Sequence, residues 1–256
     1  MNRTPWKYYR DLIWTLVSKE LKLRYRNTVF GYAWSVLSPL LFTLVYFLAF
    51  KIIMRFPMAN YPVFLVTGLF PWQWFSNSVV SSNRFFLNNS SLIRKVQFPR
   101  YFLVLAGVLN DTIHFAISIP VIVLFMLYYR TYPSLTWFWA LPMMILLQFL
   151  LTYSVALILA TCNTFSQDLE RLTVILTTLW FFVTPVIYPA NLVPPRLRWG
   201  LYINPMAGVI ACWRGILLEG RVPPDLFGSA VAGIVLAFLI GQKIYKLLEW
   251  RIAEVV

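Results

Sequence analysis

Residues 20–50 read ELKLRYRNTVFGYAWSVLSPLLFTLVYFLAF, and the change of character inside this stretch decides the fold class. Its first part carries Glu20, Lys22, Arg24 and Arg26 between apolar side chains. From Asn27 to Phe50 no charged residue occurs. The first part suits a helix lying on a membrane surface. The second is long enough to cross the hydrocarbon core, which takes about 20 mainly apolar residues. Further charge-free runs occupy 56–83, 131–167, 172–195 and 226–242, and the apolar run 101–129 is interrupted only by Asp111, near the single histidine, His114. Only 12% of the residues are charged, against roughly 25% in a soluble domain. The chain reads as an all-α polytopic membrane protein. Strict apolar/polar alternation over ten-residue segments is absent, which argues against an outer-membrane barrel.

Six spans are predicted at 32–53, 60–82, 101–128, 137–162, 172–189 and 226–247. With the N-terminus inside, 15 of the 22 Lys and Arg residues fall on inner segments and 7 on outer ones. Both termini are therefore expected to be cytoplasmic. The first 26 positions hold seven basic residues and no apolar core, so no cleavable leader is expected. Leu12, Ile13, Leu16, Val17, Leu21 and Leu23 form a stripe beside Lys7, Arg10, Lys19, Lys22 and Arg26, which predicts an interfacial amphipathic helix within 1–31. A plain basic flank is the other reading of that segment. Segment 191–225 tempts a seventh span. Asn204-Pro205 breaks it, Arg214-Gly215 interrupts it, and a seventh crossing would put the basic C-terminus outside. It is expected to form short re-entrant helices, tolerated when buried against protein. Segment 83–100 is polar at Asn88, Asn89, Ser90 and Ser91, then apolar and basic. It reads either as a short protruding helix that docks a soluble partner or as an ordinary basic loop.

The net charge of +13 would raise nucleic acid as a partner in a soluble protein. Here it is assigned to the cytoplasmic face and to anionic membrane lipids, and no nucleic-acid binding is expected. Cys162 and Cys212 are far apart in apolar surroundings and read as buried bystanders. No GxxxxGK[ST] phosphate loop, HExxH or CxxC occurs. Asp111 and His114 are three residues apart and share a helix face. They read as a proton relay or as a polar pair that satisfies itself, and their isolation favours the second. No catalytic or metal site is predicted.

Two stripes stand out. Thr173, Thr177, Trp180 and Thr184 follow helical spacing in the fifth span. Gly31, Ser35, Ser38, Phe42 and Tyr46 do so in the first. Hydroxyls exchange hydrogen bonds with sugars and rings stack on their C–H faces, so the stripes read together as a pathway lining. The bland reading is helix packing by Ser and Thr with an interfacial aromatic belt.

The stretch ELKLRYRNTVFGYAWSVLSPL at 20–40 resembles the entry signature of the ABC-2 type permeases that export polysaccharides. TPVIYP at 184–189 and NPMAGVIACWRGILLEG at 204–220 resemble the outer-gate segments of the same family, in the same order. The resemblance covers essentially the whole chain and is nearest to O-antigen and teichoic-acid exporters. It implies a transmembrane domain over 32–256 and a non-catalytic membrane subunit that forms a homodimer. It also implies two copies of a separate ATPase, which bind the ATP and Mg, and a polyprenyl-pyrophosphate-linked polysaccharide as cargo in the bacterial inner membrane. The helix within 83–100 would be the coupling helix, with Asn88, Asn89, Ser90, Ser91 and Leu92 against the ATPase. Spans one and five would line the channel through Ser35, Ser38, Phe42, Tyr46, Thr173, Thr177, Trp180 and Thr184. Arg24 and Arg26 would meet the pyrophosphate at a lateral entrance, and Tyr188 and Tyr202 would belong to the outer gate. Two other functions remain open at this point: an ABC-2 permease for a small hydrophobic molecule, and a membrane enzyme acting on lipid-linked sugars.

Overall fold

The computed structural model describes residues 5–25 and 31–255, apart from the side chains of residues 5, 23–25, 32 and 253. Among the described residues every regular element is a helix. In chain order they are α1 (Pro5–Tyr25), α2 (Trp34–Tyr46, continued by a π-helical stretch Phe47–Ile53), α3 (Tyr61–Ser82), α4 (Ser90–Lys95), α5 (Tyr101–Tyr128), α6 (Trp137–Asn163), α7 (Asp168–Val183), α8 (Trp199–Ile203), α9 (Pro205–Arg214, continued by a π-helical turn Gly215–Glu219) and α10 (Pro224–Val255). Four are long and apolar enough to cross a membrane: Trp34–Ile53, Tyr101–Tyr128, Trp137–Asn163 and Pro224–Ile252. The pair Pro195–Ile203 and Pro205–Glu219, bent by 94°, would make a fifth if counted as one broken span.

α3 falls outside that group for a physical reason. It carries Gln73, Ser76, Asn77, Ser78, Ser81 and Ser82, which lower its apolarity. It also occupies the centre of the bundle and packs on α2, α5, α6, α7 and α9. A helix surrounded by protein has little lipid to face, so its polar groups find partners inside. α7 is too short, with 16 residues. The sequence places the end of this span at 189, but the helix stops at Val183 because Thr184 precedes Pro185. A residue before proline is pushed out of the helical region, and Thr184 is extended at φ −85°, ψ 133°. Pro62 enters α3 within its first turn. At the start of α9, Asn204 caps the helix through its side chain and Pro205 follows at the first helical position.

Two buried clusters hold the bundle. One surrounds α3 with Leu65, Phe70, Phe75, Met144, Leu151, Met206, Trp213 and Ile234. The other lies at the end of the bundle that carries α4, where Leu16 and Val17 of α1 meet Phe86, Ile93, Phe102, Leu157, Tyr245 and Ile252. Gln148 of α6 ties the first cluster together. Its amide nitrogen donates to Pro71 O at 2.7 Å, and its oxygen accepts from Trp213 Nε1 at 2.6 Å. The amide thus joins α6 to α3 and α9 with its buried donor and acceptor both used. α10 runs along α6 and α9, and the phenol of Tyr245 accepts from Tyr101 N at 3.2 Å, fixing the start of α5.

Candidate functional site

α2 separates two cavities, and the serines and aromatics of its stripe divide between them. Ser35 and Ser38 line a cavity of about 350 Å³ with Gln73 and Asn77 of α3 and Asp111, His114 and Ser118 of α5. Phe42 and Tyr46 line a second cavity of about 250 Å³ with Trp72 and Gln73 of α3 and Thr177, Phe181 and Phe182 of α7. Gln73 borders both. The second cavity is mainly aromatic: Phe181 lies 5.5 Å from the rings of both Tyr46 and Trp72. One side each of α2 and α7 stays uncovered in the bundle. Leu41, Leu44, Val45 and Leu48 are exposed on α2, as are Leu172, Ile175, Leu176, Leu179, Phe182 and Val183 on α7.

The α7 stripe turns into the bundle. Thr173 is buried and donates to Leu169 O at 2.7 Å and to Asn83 Oδ1 at 3.3 Å. Thr177 is buried on the wall of the aromatic cavity. Trp180 packs edge-on against Phe75 at 5.1 Å and donates from Nε1 to Asn204 Oδ1 at 2.8 Å. Thr184 is fully buried and accepts from Asn204 Nδ2 at 2.9 Å. Asn204 also accepts from the backbone N–H groups of Met206 and Ala207. One amide therefore closes the end of α7, the following extended segment and the start of α9. The helical spacing is as read, except that Thr184 lies one residue past the helix.

The segment after α7 is held by its carbonyls. Arg214 is buried (9% exposed) and its guanidinium donates to Pro185 O, Val186 O and, at 3.3 Å, Phe64 O. It lies 3.5 Å from the centroid of the Phe64 ring. It forms no ion pair among the described residues; carbonyl dipoles and a π face stand in for a counter-charge. Tyr61 adds a bond from its hydroxyl to Ile187 O at 2.8 Å. Gly68 makes the arrangement possible. A Cβ there would sit 2.5 Å from Arg214 Nη2 and 2.9 Å from Val186 O. Tyr188 folds back and donates to Phe182 O at 2.9 Å and Val183 O at 3.3 Å, satisfying carbonyls that the helix end leaves free. Tyr202 is exposed on α8. Beside Arg214, a cavity of about 470 Å³ opens between Pro189, Asn191, Glu219 and Arg221.

At the opposite end, Asn88 and Ser91 are exposed, Ser90 and Leu92 are half-buried, and Asn89 is buried. Asn89 accepts from Lys19 Nζ of α1 and donates to Phe85 O at 2.8 Å. Arg84 donates from Nε to both Glu170 oxygens, at 2.8 and 2.9 Å, linking the turn after α3 to the first turn of α7. That bond and the carboxylate charge raise the pKa of Arg84, keeping it charged. The apolar stripe of α1 packs on α5, while Trp6 (77% exposed) and Trp14 (71% exposed) point away. Arg26 lies outside the described residues, and Arg24 is described only as a backbone position on α1. Asp111 and His114 do share a face, and Ser78 of α3 donates to Asp111 Oδ2 at 2.7 Å. No group of three or more His, Cys, Asp or Glu residues able to hold a metal occurs among the described residues.

Asn204, Arg214, Gln148, Gln73 and Asn77 carry roles that sequence reading missed. Asn-Pro at 204–205 is a cap followed by a first-turn proline, a helix-start signal as well as a break. Arg214 shows in sequence only as a charge between apolar residues, and nothing there marks the carbonyls that receive it.

A model of the ABC-2 type transporter family matches residues 11–218. The chain is 38% identical to an O-antigen export system permease protein RfbA of Klebsiella pneumoniae, over 97% of this chain and 96% of the relative. It is 36% identical to the protein of the same name in Myxococcus xanthus, over 89% of each. It is 23% identical to the polysialic acid transport protein KpsM of Escherichia coli, over 97% of this chain and 98% of that one. The family match spans the chain from α1 to beyond Arg214, and the chain belongs to the ABC-2 type transporter family.

Proposed function

We propose that the chain is the membrane permease subunit of an ATP-driven exporter. As a homodimer it forms the channel that moves a lipid-linked cell-surface polysaccharide, of the O-antigen or teichoic-acid type, across the bacterial plasma membrane. The observation that carries this reading is the similarity at 37–38% identity, over nearly the full length of both chains, to permeases named for O-antigen export. The bundle supports it physically. A polar polymer cannot cross hydrocarbon unaided, and α2 and α7 leave an apolar face uncovered that a second copy related by a two-fold axis would cover. The aromatic cavity of Phe42, Tyr46, Trp72 and Phe181 borders that face and offers rings for sugars to slide along.

In this scheme α2, α3, α5, α6, α7 and α10 are the six spans, α8–α9 is re-entrant from the outer face, and both termini are cytoplasmic. The channel wall is carried by α2 and α7: Ser35, Ser38, Phe42 and Tyr46 stand on cavity walls with Thr177, while Thr173, Trp180 and Thr184 of the same stripe are turned into the bundle and act behind that wall. The buried threonines contribute by setting the packing of α7 on α3. α1 lies in the inner interface with Trp6 and Trp14 as anchors, and Arg24 and Arg26 meet the pyrophosphate. Asn88 and Ser91 present the docking surface of the α4 segment to the ATPase, which supplies the nucleotide site and drives a conformational switch. Tyr188 and Tyr202 belong to the outer gate.

ATP turnover in nanodiscs tests the reading. The chain is purified alone and with the ATPase encoded beside it, each with and without lipid-linked polysaccharide. Turnover only in the complex, changed in rate by polymer, is expected. Transport or modification of substrate by the chain alone would refute the reading.

A further inference from the structure

Two cavities of about 350 Å³ each share Asp111 as a wall residue, one along the middle of α3 and α5 and the other nearer α4. The first is the one behind Ser35 and Ser38 of α2. The second lies under α1, between Lys19, Glu20, Asn88, Asn89 and Asn110. Both have the size of small-ligand sites, which begin at roughly 300 Å³.

Their walls carry unmet hydrogen-bonding capacity. Trp74 Nε1, on the first wall, and Asn110 Oδ1, on the second, are buried and have no partner. Buried polar atoms are nearly always paired, so an orphan donor and an orphan acceptor on adjoining walls point to an occupant that supplies both. The same Trp74 ring stacks on Phe115 at 4.8 Å and 21°, giving the first cavity an aromatic surface. Asp111, held by Ser78, lies within a candidate membrane span, where ionisable groups are rare and face the bundle interior or a water-filled cavity.

A phosphate group fits these walls poorly. Asp111 borders both cavities, and the lining cation Lys19 is already engaged by Asn89 and Glu20. The chemistry that fits is a ring with closely spaced hydroxyls, each donor and acceptor, and apolar C–H faces for an indole. We propose that the paired cavities form a saccharide-binding site within each protomer, holding a sugar ring in each lobe beside the entrance to the path. The inference rests on the polysaccharide reading above and deepens it.

The test uses the permease–ATPase complex in nanodiscs and, as probe, the lipid-free repeat oligosaccharide of the host's own polysaccharide. Saturation-transfer NMR reports which sugar protons touch the protein, and a titration gives the affinity. Asn77→Leu removes an amide at the exposed mouth, where replacement leaves the fold intact, and Ser38→Leu fills the first lobe. Each is expected to weaken binding roughly tenfold or more, the equivalent of one lost hydrogen bond of about 1.4 kcal/mol. Inorganic pyrophosphate is expected not to compete. Equal binding by wild type and both variants, no transfer to the sugar, or displacement by pyrophosphate would each overturn the inference. If lipid-linked polymer is still exported when the oligosaccharide does not bind, this inference alone falls. If export is absent too, the exporter reading falls with it.

Discussion

Replacing Gly68 with alanine would put a methyl carbon where Arg214 already stands. The new Cβ would lie 2.5 Å from Nη2, 3.2 Å from Cζ and 2.9 Å from Val186 O. The guanidinium has no easy retreat, because it is bonded to Pro185 O and Val186 O and packed on the Phe64 ring. Either the Val186 bond breaks or the segment after α7 moves. Overpacking of this kind costs about 1–3 kcal/mol. Losing a hydrogen bond from a charged donor adds about 1.5–3 kcal/mol. Alanine returns about 1 kcal/mol of helix propensity over glycine. The balance is a destabilisation of about 2–5 kcal/mol, which at roughly 2–4 °C per kcal/mol lowers the apparent Tm by about 4–20 °C. The assay is thermal unfolding of the purified complex in detergent. A double-mutant cycle with Arg214→Leu isolates the guanidinium's share: its 2.5 Å clash goes with it while the 2.9 Å contact with Val186 O stays, so the pair should couple by about 0.5–3 kcal/mol. An unchanged Tm for Gly68→Ala, or penalties that simply add, would refute the reasoning.

Gln148→Leu strands Trp213 Nε1 in the core and is expected to cost about 1–3 kcal/mol, read as a lower apparent Tm. Asn204→Ala removes the cap of α9 and the partners of Trp180 and Thr184 together; the cap alone is worth about 0.5–2 kcal/mol. Asn204→Asp keeps the acceptor and loses only the donation to Thr184, so its melting should fall between wild type and Asn204→Ala. Glu170→Gln breaks a solvent-exposed ion pair with Arg84 and should leave melting unchanged. Ser91→Trp places a bulky ring on the exposed side of the α4 segment, where ATP turnover by the complex should lose its response to polymer while the permease still folds.

The long apolar helices are legible because extended charge-free runs allow few alternatives, and α5 and α6 start at the residues read from sequence, Tyr101 and Trp137. α7 was read too long, although Thr184-Pro185 carried the stop signal. The threonine stripe shows the limit of periodicity. Spacing says that Thr173, Thr177 and Trp180 share a face; it does not say whether that face meets a channel or α3, because hydroxyls suit both. Asp111 and His114 were readable as neighbours, but their place on a polar cavity depends on Ser78 and Asn77 of a helix thirty residues earlier in the chain. Arg214 was the least legible residue, since its partners are backbone carbonyls, which every sequence has everywhere.

The central claim is tested most directly by a translocation assay. Proteoliposomes hold the permease with its ATPase, lipid-linked polysaccharide is added on the nucleotide side, and a lectin enclosed on the opposite side reports arrival. The account predicts ATP-dependent lectin binding that vanishes without the permease or without the ATPase. Arrival without ATP hydrolysis, or ATP turnover with no polymer crossing, would contradict it.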